Sequence, residues 1–159
     1  MTTLFNILFL CRDNAALSIM AEACTNAISH DRFSAYSAGS LPADRVHPLA
    51  IEMIASYHLD YANLRCKHWS EFSQPDAPQM DFVIALCDKD AGQHCPFFPG
   101  RPLMAQWNIT DPLAAAPEQM RAKFVKAWRE LDTRIRLLNC LPMRGFIQRK
   151  QELDAHSHL

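Results

Sequence analysis

Residues 7–23 read ILFLCRDNAALSIMAEA. The apolar run of residues 7–10 ends at Cys11, and apolar residues return at helical spacing after Ser18. This pattern predicts a buried β-strand, a tight loop and an α-helix, in that order. Ser18 is expected to cap or begin the helix.

A loop between a strand and a helix can direct its backbone N–H groups, together with the positive end of the helix, toward one point above the strand. That arrangement makes a binding site for an oxyanion. A helix N-terminus also lowers the pKa of a nearby thiol, and the thiolate is the reactive form of cysteine. Cys11 is therefore expected to be an acidic, reactive thiol.

The composition indicates one ordinary globular domain. The chain has 159 residues, of which 49% are hydrophobic and 21% charged, so it can bury a core and is not disordered. The net charge of -1 argues against general nucleic-acid binding, and residues 144–150 form the only short basic run. Because no apolar stretch approaches about 20 residues and no secretion leader is visible, we expect a soluble, cytoplasmic protein without membrane contacts.

Strand and helix signals alternate along the rest of the chain. Strands are predicted at residues 4–10, 33–37, 81–86 and 103–107. Helices are predicted after Ser18, at 48–57, briefly around Trp69 and Phe72, and at 117–139. Helices between strands imply parallel pairing, so we expect an α/β fold: a four-stranded parallel sheet in a three-layer α/β/α arrangement. Residues 1–142 should form this domain and residues 143–159 a loose tail.

Six cysteines are present, at positions 11, 24, 66, 87, 95 and 140. In a cytosolic domain of this size, redox or catalytic thiols are a better explanation than a disulfide scaffold. Cys87 follows a predicted strand, and Cys95 comes eight residues later in a polar segment. Inert core thiols, or a zinc site including His94, are the alternatives for this pair, although a structural zinc site normally has four ligands. Cys24, Cys66 and Cys140 are assigned to packing.

Several motifs resemble the low-molecular-weight tyrosine phosphatases and the arsenate reductases that share their fold. Cys11, Asn14, Ser18 and residues 20–23 resemble the phosphate loop of that family. The cysteine pair points to the reductase branch. Further matches are Ser37-Ala38-Gly39, residues 46–50, Leu86-Cys87-Asp88, Cys95-Pro96, Pro99-Gly100, Trp107 and Asp111-Pro112. The resemblance extends from about Leu4 to Leu141 and implies a flavodoxin-like topology.

The resemblance implies a thiol relay that reduces arsenate to arsenite. Cys11 attacks the oxyanion, Asp111 acts as general acid, and Cys87 and then Cys95 take over the bond, leaving a disulfide for a thioredoxin-like donor. The oxyanion loop would comprise Arg12, Asp13, Asn14, Ala15, Ala16, Leu17 and Ser18. No metal or organic cofactor is implied. Without the resemblance, Asp111 is an ordinary turn residue.

The sequence departs from the family pattern at Leu17, where the family has an arginine whose planar fork holds two oxygens of the anion. The family's serine near the end of the loop is also replaced, by Ala15. Arg12 is most simply a solvated charge, or it leans over the loop and partly replaces the missing guanidinium. The alternatives to a reductase are a catalytically silent relative that acts through its thiols or binds anions, and a tyrosine phosphatase.

Overall fold

The computed structural model describes residues 4–86, 98–146 and 148. Within them, four parallel strands form one sheet in the order β2-β1-β3-β4. The strands are β1 (Phe5–Leu10), β2 (Phe33–Ala38), β3 (Phe82–Ala85) and β4 (Leu103–Gln106). The α-helices are α1 (Leu17–Ile28), α2 (Pro48–Ser56) and α3 (Pro117–Asn139). In the described part of the chain, two short 3-10 helices span Trp69–Ser73 and Pro112–Ala114.

The predicted four-stranded parallel sheet of an α/β fold is confirmed. The three α-helices named above pack against one face of the sheet and against each other. The other face is covered by a smaller apolar cluster that includes Phe72, Met80 and Phe98. Residues 87–97 of the connection between β3 and β4 lie outside the described residues.

The alternation of side chains along β1 determines where Cys11 lies. Ile7, Phe9 and Cys11 belong to the core on the helical side, whereas Leu8 and Leu10 belong to the cluster on the other face. Successive side chains of a strand point to opposite faces, so this division follows from the backbone. Because all four strands are parallel, their carboxyl ends meet at the edge where Cys11 lies.

Gly39 follows β2 at that edge and lies against the backbone of the residues that follow β1. A Cβ atom added at Gly39 would lie 2.5 Å from the carbonyl oxygens of both Cys11 and Arg12. No real Cβ atom tolerates such a distance. The glycine therefore allows the two chain segments that leave β1 and β2 to run in direct backbone contact.

The end of α3 is attached to the opposite edge of the sheet. The Arg32 guanidinium donates hydrogen bonds to the carbonyl oxygens of Asn139 and Leu141, at 2.5 and 2.7 Å. Phe146 packs edge-on against Phe82, with ring centroids 5.4 Å apart. The first residues of the segment expected to form a loose tail thus contact the core.

We expect Gly39→Ala to lower the free energy of unfolding by about 1–3 kcal/mol, because the new methyl group meets rigid backbone rather than a flexible side chain. Gly145→Ala is the matched control, since an added Cβ at that exposed glycine has nothing within 4 Å. The control should stay within about 0.5 kcal/mol of the parent or gain slightly. Urea titration of the three proteins measures both effects, and equal stability of the two variants would contradict the close approach.

Candidate active site

Cys11 lies directly beyond β1 and is only 1% exposed. Its backbone N–H donates to the carbonyl oxygen of Ala38, at 3.2 Å, so the strand pairing continues to this residue. The next residues turn sharply, and α1 begins at Leu17. The predicted order of strand, tight loop and helix is therefore confirmed.

The carbonyl groups of the loop point toward the segment that follows β2. Arg12, Asp13 and Ala15 each accept a hydrogen bond through their backbone oxygens. The donors are the N–H groups of Leu41, Ala43 and His47, at 2.8, 2.9 and 2.8 Å. In a trans peptide unit the C=O and the following N–H point in opposite directions. The N–H groups of Asp13, Asn14 and Ala16 are consequently directed to the other side of the loop, away from residues 41–47.

Asn14 is fully buried and adopts a left-handed backbone conformation, with φ of +48°. Its side-chain amide donates to Ser18 Oγ and accepts from the backbone N–H of Lys67, both at 2.8 Å. Asparagine tolerates this conformation better than most residues. The side chain thus joins three parts of the chain: the loop, the first turn of α1 and the segment around Lys67.

The N-terminus of α1 differs from the prediction in one respect. Ser18 was expected to cap or begin the helix, but Ala16 is the N-cap residue and no side chain caps the helix. The Ser18 hydroxyl instead accepts the hydrogen bond from Asn14. The first N–H groups of α1 therefore receive no side-chain cap at the end that faces the loop.

Leu17 occupies the position where the family resemblance places arginine. It is 1% exposed and packs in the helical-side core together with Cys11, Ala16 and Met20. Arg12, the single Arg or Lys among residues 12–18, is exposed. Exposure agrees with the simpler interpretation of Arg12 as a solvated charge.

The loops after β3 and β4 reach the same edge of the sheet. The N–H of Leu86 donates to the carbonyl oxygen of Leu10, at 2.9 Å, and Ile109 N–H donates to Leu86, at 3.0 Å. Asp111 then caps the second 3-10 helix by accepting from the N–H of Leu113, at 3.0 Å. The parallel pairing thus brings the residue before Cys87 beside the residue before Cys11, and places Asp111 in a loop at this edge.

Cys87, Cys95 and His94 lie outside the described residues, so the relay and the zinc alternative stay predictions. Among the residues that the structure does describe, no group of three or more His, Cys, Asp or Glu side chains could hold a metal ion. The same part of the chain includes no helix long and apolar enough to cross a membrane.

The other three cysteines differ in their surroundings. Cys24 is buried as expected, and burial, together with the nearby charge of Asp132, raises its pKa to about 12. Cys66 is half-buried, and desolvation raises its pKa as well. Cys140 is exposed, so its assignment to packing was wrong.

Sequence reasoning missed a buried polar cluster beside the loop. Ser37 Oγ donates to Glu22 Oε1, at 3.1 Å, and the ammonium of Lys67 lies 3.7 Å from the same oxygen. Burial raises the pKa of Glu22 and lowers that of Lys67. Glu22 and Ser37 fall within the family-like motifs, but nothing in the irregular stretch around Lys67 indicated that its side chain turns inward.

Comparison with known proteins identifies the family. The sequence model of the family described as low molecular weight phosphotyrosine protein phosphatase matches residues 6–141. The chain belongs to this family. The resemblance seen in the loop motifs is thereby confirmed.

The similar curated proteins of this family include several arsenate reductases. The chain is 33% identical to arsenate reductase 1 of Staphylococcus haemolyticus over 119 residues, which cover 74% of this chain and 85% of that protein. It is 34% identical to an arsenate reductase of Staphylococcus aureus over 107 residues, which cover 67% and 77% of the two chains.

Solved structures give the same picture. The thioredoxin-dependent arsenate reductase of Corynebacterium glutamicum matches with a TM-score of 0.63 and 25% identity, over 86% of this chain and 61% of that one. The arsenate reductase of Archaeoglobus fulgidus matches with a TM-score of 0.61 and 25% identity, over 81% and 98% of the two chains. The chain is thus similar in sequence to several arsenate reductases of this family.

We expect Asn14→Ala to lower the free energy of unfolding by about 2–4 kcal/mol, because it leaves two buried hydrogen-bonding groups without partners and adds strain at a positive φ. Asn14→Gly removes the same hydrogen bonds without the strain, so it should cost about 1 kcal/mol less. Urea titration of both variants separates the two contributions. Equal losses in both would show that the backbone conformation adds nothing.

Proposed function

We propose that this protein reduces arsenate to arsenite through the thiols of Cys11, Cys87 and Cys95. The observation that carries the proposal is the loop after β1, whose carbonyl groups are bonded to residues 41–47 while the opposite ends of the same peptide units point away from them. A reactive thiol at the start of such a loop can attack an anion held by the N–H groups.

Each step of the proposed relay balances. The Cys11 thiolate bonds to arsenic, and an arsenate hydroxyl group takes one proton from Asp111 and leaves as water. Cys87 attacks the Cys11 sulfur, so a disulfide forms while the sulfur–arsenic bond breaks. The electron pair stays on arsenic, which leaves as arsenite. Cys95 then attacks Cys87 and releases Cys11.

The electron donor follows from the product of the relay. The Cys87–Cys95 disulfide can be reduced by dithiol exchange with a thioredoxin-like protein, and one structural relative is itself described as thioredoxin-dependent. Such a relay starts from three reduced thiols. We therefore propose that it operates in the cytoplasm, where thiols are kept reduced.

The position of Leu86 supports the second step. Its N–H donates to the carbonyl oxygen of Leu10, so the chain leaves β3 beside the strand end that carries Cys11. Cys87 is the next residue in the sequence. The second step requires Cys87 to come close enough to Cys11 for a disulfide to form, with the two Cα atoms less than about 7 Å apart.

Leu17 sets the expected level of activity. Judged from arginine fingers in phosphoryl transfer, the loss of a guanidinium that neutralises a transferring group costs a factor of about 10³ to 10⁵ in rate. A buried leucine also raises the cost of holding a doubly charged anion nearby. The backbone N–H groups and the helix N-terminus remain as the binding elements of the loop, so we expect a slow reductase.

The same leucine favours one second candidate function. A chain that keeps the loop and the three thiols without an efficient anion clamp could act as a thiol redox protein or an anion-binding protein. Mild peroxide would then form the Cys87–Cys95 disulfide reversibly while arsenate has no effect. A tyrosine phosphatase comes third, because its chemistry depends on the absent arginine and has no use for the cysteine pair.

We expect the reduced protein to turn over arsenate slowly with a thioredoxin system, and Leu17→Arg to raise kcat/KM at least about tenfold through the restored guanidinium. Leu17→Met is the matched control, because it keeps the apolar character and leaves the rate near that of the parent. Circular dichroism checks that the buried arginine is tolerated. Turnover by the arginine variant alone would favour the silent relative, and hydrolysis of an aryl phosphate without arsenate reduction would favour the phosphatase.

The relay itself predicts two different trapped products. Cys95→Ser should release one arsenite per protein and stop with a Cys11–Cys87 disulfide, since no thiol remains to resolve it. Cys87→Ser should release none. Mass spectrometry of peptides identifies the bond, and Cys24→Ser, which removes a buried thiol of high pKa, should behave as the parent. A full catalytic cycle in Cys95→Ser would contradict the order of the thiols.

A further inference from the structure

A buried ion pair lies next to the loop and has no part in the proposed reaction. The side chains of Lys67 and Glu22 are only 8% and 11% exposed, and their charged atoms are 3.7 Å apart. The Lys67 ammonium also donates to the carbonyl oxygen of Arg65, at 2.9 Å. Ser37 Oγ donates to the same carboxylate oxygen of Glu22, at 3.1 Å. The pair thereby connects α1, β2 and the segment around Lys67.

The backbone of Lys67 holds the loop directly. Its N–H donates to the side-chain oxygen of Asn14, at 2.8 Å, and its carbonyl accepts from the N–H of Gly39, at 2.9 Å. Lys67, whose side chain is paired with Glu22 of α1, therefore also bonds through its main chain to Asn14 and Gly39.

Stability alone is a poor explanation for this arrangement. Removing two charges from water costs several kcal/mol per ion in general, and apolar residues of the same volume often serve a core equally well. The ammonium does something that an apolar side chain could not do, because it bonds the carbonyl of Arg65 and the carboxylate of α1 together. It thus fixes the course of residues 65–67 relative to the helix.

We propose that Lys67 is a positioning residue of the oxyanion loop. Its ammonium anchors the backbone at position 67, this backbone fixes the Asn14 side chain, and Asn14 keeps the loop in the left-handed turn that directs N–H groups away from residues 41–47. The inference rests on the oxyanion-binding part of the proposed function and is independent of the reduction steps. Loss of the ammonium should therefore weaken anion binding before it unfolds the protein.

The test measures binding of inorganic phosphate by titration calorimetry at 25 °C. Lys67→Met keeps the aliphatic stem and removes the ammonium, and we expect its affinity for phosphate to fall at least tenfold. Lys67→Met combined with Glu22→Gln should bind equally weakly, although it leaves no unpaired buried carboxylate and should fold more readily. Parent-like affinity in either variant, within twofold, would overturn the proposal.

A stability-matched control separates positioning from general destabilisation. Ile135→Ala creates a cavity in α3 near the edge of the sheet opposite the loop, because Ile135 is fully buried only one turn before Asn139. It should lose stability and keep its phosphate affinity. Equal weakening of phosphate binding in Ile135→Ala and Lys67→Met would show that affinity merely follows stability, which contradicts a positioning role.

Chemical rescue of a Lys67 variant provides a third test of the positioning role. In Lys67→Ala, added ethylammonium can occupy the vacated space and donate N–H bonds, so phosphate affinity should rise severalfold. Tetramethylammonium at the same ionic strength cannot donate and should have no effect. A parent protein that binds no phosphate would overturn the inference together with the oxyanion site. One that binds phosphate but leaves arsenate unreduced would contradict only the proposed reaction.

Discussion

Three backbone hydrogen bonds determine the character of the site. They hold the carbonyl groups of Arg12, Asp13 and Ala15 against the segment that follows β2. Because a planar trans peptide cannot present its carbonyl and its N–H to the same side, fixing one end of each unit fixes the other. The anion binding that we propose for the loop therefore depends on a segment that contributes no reactive side chain.

The loop contributes no buried cationic side chain to the proposed anion site. Leu17 fills the position of the family's arginine with an apolar side chain inside the core, and Arg12 is exposed. The buried cation nearby, Lys67, is already paired with Glu22. In the proposed site, a bound anion would face peptide dipoles and the start of α1, which carry partial charges rather than a full one. Such a site can orient an oxyanion, but it neutralises less of the charge that develops during transfer.

Regular elements were predictable because each has a local signal. The strand before Cys11 ends in the apolar run of residues 7–10. Pro117 and the apolar stripe that ends near Asn139 placed α3 at its observed bounds. Each of the four strands named above lies within one residue of its predicted bounds at either end. Cys11 and the loop were found for the same reason, since strand, loop and helix are contiguous in the sequence.

Contacts between distant segments were not predictable. Serine is a common helix cap, but the Ser18 hydroxyl instead accepts a hydrogen bond from Asn14. This bond depends on a backbone turn that the sequence pattern does not predict. Lys67 follows an irregular stretch, and lysine is nearly always exposed, so only its partner on α1 explains its burial. Cys140 shows the opposite error, since a cysteine assigned to packing lies on the surface after α3.

The anchoring of α3 by Arg32 has a practical consequence for handling the protein. Since Arg32 holds Asn139 and Leu141, and Phe146 packs on Phe82, the described chain ends at the amino edge of the sheet. The oxyanion loop lies at the carboxyl edge. The two edges are separated by the length of a strand, which rises about 3.3 Å per residue. A sensor surface or fluorescent label coupled near residue 146 would thus attach at the edge of the sheet opposite the loop.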